Sequence, residues 1–247
     1  MIRVFSAVLL LLIFVVWQLP ASLIDSALNR YSDNKLRLAE TQGSVWRGSG
    51  LVMVLDPVSD RWQPWTKIDW NADWGALLRF GVAWQLMVQD TPLARVELAT
   101  SGVRIDELHL RGPARLFLQQ MQNVIGRAGW RGDIAIDSAH WRCTWQYRCQ
   151  GGADLRWFGA ASDLLEGRVL GDYQVLFLGN GEHIDFQWDT LQGSVRTKGD
   201  GRWQGQGTPR LSGTISGDVM FLQSLPSVAS RWVRVGSEPG VWLISIQ

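Results

Sequence analysis

The sequence predicts a mainly β protein: elongated, mostly antiparallel sheets in two similar lobes with short helices, preceded by one N-terminal transmembrane helix. Three observations predict it. From Leu36 onward apolar and polar residues alternate with period two, the repeat of a strand with one wet face. Clusters of Gly, Asn and Asp separate those rows, and these residues tolerate the positive φ of tight turns. Before Leu36 the residues from Val4 to Ile24 carry no charge at all.

Roughly 20 helical residues cross a ~30 Å hydrocarbon core, so Val4–Ile24 is long enough to span. Trp17 lies near its outer end, where an indole prefers the headgroup region. The rival is a cleaved signal peptide, which needs small residues in an A-x-A-like pattern. Gln18-Leu19-Pro20-Ala21-Ser22 offers Ala21 but has Leu19 two positions earlier, so an uncleaved anchor over residues 1–30 is expected. Either way the remainder is exported in a bacterium. Arg3 favours a cytoplasmic N-terminus, although Arg30, Lys35 and Arg37 follow the segment. After Pro20, Leu23, Ile24, Ala27, Leu28 and Tyr31 recur on one helical face. This second helix is expected to continue the anchor, to lie along the membrane surface, or to be a frayed end of the span.

The strand rows follow in order. Ile68, Trp70, Ala72 and Trp74 alternate with Asp69, Asn71 and Asp73; Val82, Trp84, Leu86 and Val88 form the next row. Ala94, Val96 and Leu98 come next, then Ile134 and Ile136, Val175 and Phe177, and Ile184, Phe186 and Trp188. Gly102, Gly112, Gly129, Gly151-Gly152, Gly179-Asn180-Gly181 and Gly199-Asp200-Gly201 read as punctuation, with Asn180-Gly181 the sharpest hairpin signal. Helices are expected at Pro113–Ile125 and Asp218–Val228, with a further helical turn at Gly75–Arg79. They also mark a repeat. Gln42-Gly43-Ser44-Val45 recurs as Gln192-Gly193-Ser194-Val195, and Phe117-Leu118-Gln119 as Phe221-Leu222-Gln223. The lobes are accordingly drawn at 31–128 and 129–247.

Composition excludes several functions. Among 247 residues, 24 Lys and Arg balance 23 Asp and Glu, leaving a net charge of +1. A nucleic-acid binder would carry a basic excess, so none is expected as a partner. Three histidines, His109, His140 and His183, lie in separate strand segments without metal-ligand spacing. Ser44, Ser49 and Ser194 lie in Gly-rich turns, and none sits in a Gly-x-Ser-x-Gly elbow. Gly199–Gly207 lacks the spacing of a phosphate loop and reads as an ordinary loop. Carboxylates such as Asp133, Asp137, Asp185 and Asp189 alternate with apolar residues, which puts them on the solvated face. No catalytic residue, no metal and no cofactor is expected, and the chain is read as a non-enzyme.

Two features remain. Cys143 and Cys149 enclose five residues. In an oxidising compartment such a pair should close a small loop; the spacing also suits metal ligands, but two thiols alone make a poor site. The 15 Trp are unusual. Large aromatics packing across sheet faces explain them, and a Trp-lined groove for lipid, glycan or unfolded polypeptide is the functional alternative.

The collinear order of these features resembles protein N of the bacterial type II secretion system. Leu19-Pro20-Ala21 ends the apolar segment. Gly43-Ser44-Val45-Trp46-Arg47-Gly48 resembles the family's Gly-Thr/Ser-Val/Leu-Trp-x-Gly signature, and Trp70–Leu78 its Trp-x-x-x-Trp, Leu-Leu stretch. Gly132-Asp133-Ile134, the Cys pair around Trp145, Leu165-Glu166-Gly167, Gly171-Asp172-Tyr173 and Gly205-Gln206-Gly207 follow. Relative to the family, the chain is expected to stop short after Gly240. The resemblance implies a single-pass inner-membrane protein with a periplasmic domain, an accessory part of the machine that moves folded proteins across the outer membrane. Its partners would be other inner-membrane or periplasmic subunits of that machine. The family is similar in pattern to AsmA-like proteins, which implies lipid binding or lipid carriage as the alternative. Outward positions of the first lobe, Asp69 and Asn71, are the expected contact surface.

Overall fold

The computed structural model describes residues 2–57, 59–119, 129–163, 168–205, 207–217, 222–223, 232–237 and 240–246. Among the described residues the α-helices with full bounds are α1 (Ile2–Trp17), α2 (Ser22–Tyr31) and α3 (Ala114–Leu118). The first strands are β1 (Leu36–Gly43), β2 (Arg47–Asp56), β3 (Arg61–Asp73), β4 (Gly81–Val88), β5 (Thr91–Ala99), β6 (Gly102–Pro113) and β7 (Arg131–Thr144). They continue as β8 (Cys149–Ala161), β9 (Val169–Asn180), β10 (Ile184–Gly193), β11 (Val195–Trp203), β12 (Arg210–Gly217), β13 (Val233–Val235) and β14 (Val241–Ile246). A 3-10 turn at Trp74–Arg79 links β3 to β4.

The protein is mainly β. The 14 strands belong to a single sheet and follow chain order up to β12, after which β14 precedes β13. Each pair with a described register is antiparallel. The sequence suggested sheets in two lobes; the strands instead form one sheet. By compactness the chain divides into Met1–Val96 and Glu97–Gln247.

In the first unit the charge-free stretch does not form one helix. α1 stops at Trp17, Pro20 makes an isolated antiparallel bridge to Ser44, and α2 starts at Ser22. Among the described residues no helix is long and apolar enough to cross a membrane, and α1 itself has 16 residues. The second helix neither continues the first nor frays. Its Ile24 and Leu28 pack on buried Ala21, Leu38, Val52 and Trp70, so its apolar face is spent on the sheet.

In the second unit Leu170, Val195, Ile215 and Leu222 form the core, with Trp130, Tyr173, Trp242 and Ile244 against it. Asn180-Gly181 does turn β9 into β10, with Gly179 opposite Ile184. Other glycines read as punctuation lie inside strands: Gly151 and Gly152 in β8, and Gly199 and Gly201 in β11. In β11 the reason is space. Phe186 is opposite Gly201 and Trp188 opposite Gly199, and a Cβ on either glycine would sit 2.3 Å from the Phe186 ring or 2.1 Å from the Trp188 ring. Gly213 of β12, opposite Gly199, leaves room for the same indole. The aromatic rings thus lie flat over neighbouring strands, and glycine is what lets them. Trp70 over Gly48 repeats the arrangement in the first unit.

The sequence repeat has a structural counterpart. A register shift falls between Ala39 and Gln42 in β1 and between Thr190 and Gln192 in β10, immediately before the two Gln-Gly-Ser-Val runs. Both runs therefore follow a bulge and close a strand into its turn. Of the expected helix Pro113–Ile125, Ala114–Leu118 is helical and residues 120–128 lie outside the described residues. The expected helix Asp218–Val228 lies outside them except for Leu222 and Gln223, both helical.

Candidate functional site

The family-like turn between β1 and β2 is where sequence, packing and the N-terminal helix meet. A helix leaves its last carbonyls without partners. Here the Trp46 indole N–H donates to the Val16 carbonyl of α1 at 2.8 Å. The chain after α1 is then laced to the turn by backbone bonds from Val45 N–H to Leu19 O (2.9 Å) and Ala21 N–H to Gly43 O (3.2 Å). The turn itself is held from the sheet side. The indole of Trp70 donates to Ser44 O at 3.0 Å, and that of Trp84 to Val45 O at 2.9 Å. Trp74 completes the group, stacked on Trp17 at 5.1 Å with 9° between the rings and tilted against Trp46 at the same distance. Five tryptophans thus fasten α1 to one end of the first unit. The alternation pattern places Trp70 and Trp84 on strands; it does not show that their N–H groups serve a turn some 30 residues earlier.

The two ends of this unit differ in chemistry. At the α1 end the connections carry Val45, Trp46, Trp74, Leu77 and Phe80. At the other end the β2–β3 connection carries Asp56, Ser59 and Asp60. Asp56 is buried there and accepts from Ser59 Oγ and Gln63 Nε2, both at 2.9 Å. Asn71 is exposed and Asp69 half-buried; both line an open depression of about 530 Å³ with Arg47, Ser49 and Met87. These expected contact positions therefore share one accessible surface.

The histidines each meet an aspartate. His109 Nδ1 lies 2.8 Å from Asp137 Oδ1, and His140 Nδ1 2.5 Å from Asp106 Oδ1, as two cross-strand pairs between β6 and β7. His183 Nε2 is 3.1 Å from Asp185 Oδ2 beside the β9–β10 turn. The hydrogen bond from Arg202 Nε holds the Asp185 carboxyl below the usual carboxylate range, helped by the charges of Arg202 and His183. Burial, with a smaller push from Asp172, raises the Tyr173 phenol to about 12; its hydroxyl donates to Val195 O at 3.0 Å. Among the described residues no group of three or more His, Cys, Asp or Glu could hold a metal ion. Cys143 and Cys149 face each other across β7 and β8 and are disulfide-bonded, closing the loop that carries Trp145 and Tyr147. The Trp145 indole donates to Thr100 O at 3.0 Å, tying that loop back to the turn between β5 and β6.

The second unit also presents an aromatic row. Phe177 lies 6.1 Å from Phe186, which lies 6.2 Å from Trp188, on β9 and β10. All three are half-exposed.

Compared with known proteins, the chain matches the model of the family described as Type II secretion system (T2SS), protein N, over residues 34–225. No curated protein and no solved structure matches it.

Proposed function

This chain belongs to the type II secretion system protein N family, and we propose that it serves that system from the periplasmic face of the inner membrane, by protein contact and without catalysis. The observation that carries the reading is the family match, which extends over residues 34–225. The N-terminal geometry supports it. α1 is free of charge from Val4 to Trp17 and presents Val8, Leu10, Leu11, Phe14, Val15 and Val16 to its surroundings. At 1.5 Å per residue its 16 residues reach about 24 Å. On this reading α1 is a single-pass anchor with a cytoplasmic N-terminus, and local thinning of the bilayer takes up the shortfall against a ~30 Å core. An anchor confines the sheet to the membrane surface, which raises its effective concentration toward other anchored subunits. The depression beside Asp69 and Asn71 offers them a polar contact surface.

A photo-crosslinking residue at Asn71 tests this in cells carrying the whole machine. The expected product is a covalent adduct with an inner-membrane subunit of the same system, identified by mass spectrometry. No adduct to any such subunit, with secretion running normally, overturns the reading.

The aromatic row Phe177–Phe186–Trp188 favours the AsmA-like alternative, in which a half-exposed apolar strand face holds acyl chains. Phospholipid crosslinked to a probe at Phe186, with none at Asn71, would make lipid carriage the better reading.

A further inference from the structure

We propose that the connection between β3 and β4 is a second membrane contact, with Leu77 and Phe80 inserted at the headgroup–acyl boundary of the leaflet from which α1 emerges. The proposal rests on the reading of α1 as an anchor.

Four observations lead there. First, Trp17 at the end of α1 stacks on Trp74, the first residue of the connection. A membrane-embedded α1 therefore carries Trp74 to the bilayer surface with it. Second, apart from Arg79 the connection is apolar where solvent exposure would call for polar residues. Trp17 is 60% exposed, Trp74 42%, Leu77 52% and Phe80 86%. Contiguous exposed apolar groups of this kind mark an interaction surface. Third, the backbone is shaped to present them. Asp73 accepts from Gly75 N–H at 2.9 Å to open the 3-10 turn, and Phe80 closes it at φ 57°, a conformation rare for an aromatic residue. Fourth, the unit is polarised along its strands. The connections at the α1 end hold tryptophan, leucine and phenylalanine beside Ser44 and Arg79, and the β2–β3 connection at the opposite end holds Asp56, Ser59 and Asp60. A protein partner at the α1 end would have to share that surface with the lipid around α1. Lipid is the occupant that meets both the helix and the connection without a break, and indoles are favoured at that depth.

A second contact would do what a single helix cannot. One helix leaves the domain free to rotate and tilt about its axis; a helix plus a loop seated in the same interface fixes the strand direction relative to the bilayer.

The test uses the full chain in vesicles of phosphatidylethanolamine and phosphatidylglycerol. The native cysteines are paired, so Phe80→Cys, Leu77→Cys and the distant Arg61→Cys each provide one thiol for an environment-sensitive fluorophore. The expected result is blue-shifted emission at 80 and 77, quenched several-fold more by lipids spin-labelled near the headgroup than emission at 61. Vesicle-bound protein with equal quenching at 80, 77 and 61 overturns the proposal. So does a blue shift that nitroxide lipids leave unquenched, since that surface is then covered by protein or by a second copy. Protein that fails to float with the vesicles sinks the anchor reading, and the two failures are told apart by flotation. Two independent label sites keep the test decisive if one variant misfolds.

Discussion

Asp25 in α2 accepts the backbone N–H of Leu38 in β1 at 2.7 Å, 13 residues along the chain. β1 ends the strand order, and an end strand exposes N–H groups that invite another chain. A carboxylate on one of them, with α2 packed beside it, closes that edge. Hydrogen bonds to charged groups contribute about 1.5–3 kcal/mol. Asp25→Ala should therefore lower the denaturation midpoint of the detergent-solubilised chain. Hydrogen exchange should show faster exchange of the Leu38 amide with little change at Trp70. An unchanged Leu38 exchange rate would remove Asp25 from this role.

The indole bonds to the β1–β2 turn can be separated from the bulk of the rings. Trp84→Phe keeps most of the packing and deletes the bond to Val45 O, a loss of about 1 kcal/mol. Trp70→Ala empties a buried site and should cost about 3–5 kcal/mol. Urea melts of the two variants check the ratio; equal effects would mean that the N–H bond, and not the packing, dominates at both sites.

Removing the disulfide by Cys143→Ala with Cys149→Ala should leave a folded chain with roughly 2–3 kcal/mol less stability, since the closed loop is short. Labelling of unfolded, unreduced protein purified from cells should find no free thiol. Efficient labelling would show that the two sulfurs are not paired there.

Tyr173 gives a titration signature. Its phenol ionises at about 12 in the folded chain, raised from the ordinary 10.0. The neutral form is the one the fold favours, so its stabilising effect is complete below pH 10 and is lost as pH rises towards 12. Ultraviolet titration should show a phenolate transition near 12 that Tyr173→Phe abolishes.

Much of the fold is legible in the residues, and the exceptions have physical causes. The rows through Trp70, Trp84, Ile134 and Phe186 are strands because their alternation is strict. Gly199-Asp200-Gly201 misleads because glycine signals a turn only when nothing else needs its missing side chain. Here two rings from β10 do, and the cue is the pairing of aromatic and glycine positions in adjacent rows. The apolar run Val4–Ile24 reads as one span because hydropathy ignores the backbone. Pro20 has no N–H to continue a helix, and the β1–β2 turn takes up the chain around it. Of the proposed contact surface, Asp69 and Asn71 are placed by periodicity. The joining of Trp17, Trp46, Trp70, Trp74 and Trp84 is tertiary and has no local signature.

The strand order bears on how the chain assembles. From β1 to β12 every strand lies beside its predecessor, so most pairings close only a short loop, the segment between Pro113 and Arg131 being the longest connection, and little chain entropy is lost at any step. A polypeptide that emerges N-terminus first can then zip strand onto strand as it appears, without holding an unpaired edge open for a distant partner. The exception is at the end. β13 pairs with β14, and β14 pairs with β12, so β13 must wait until the residues after it have docked.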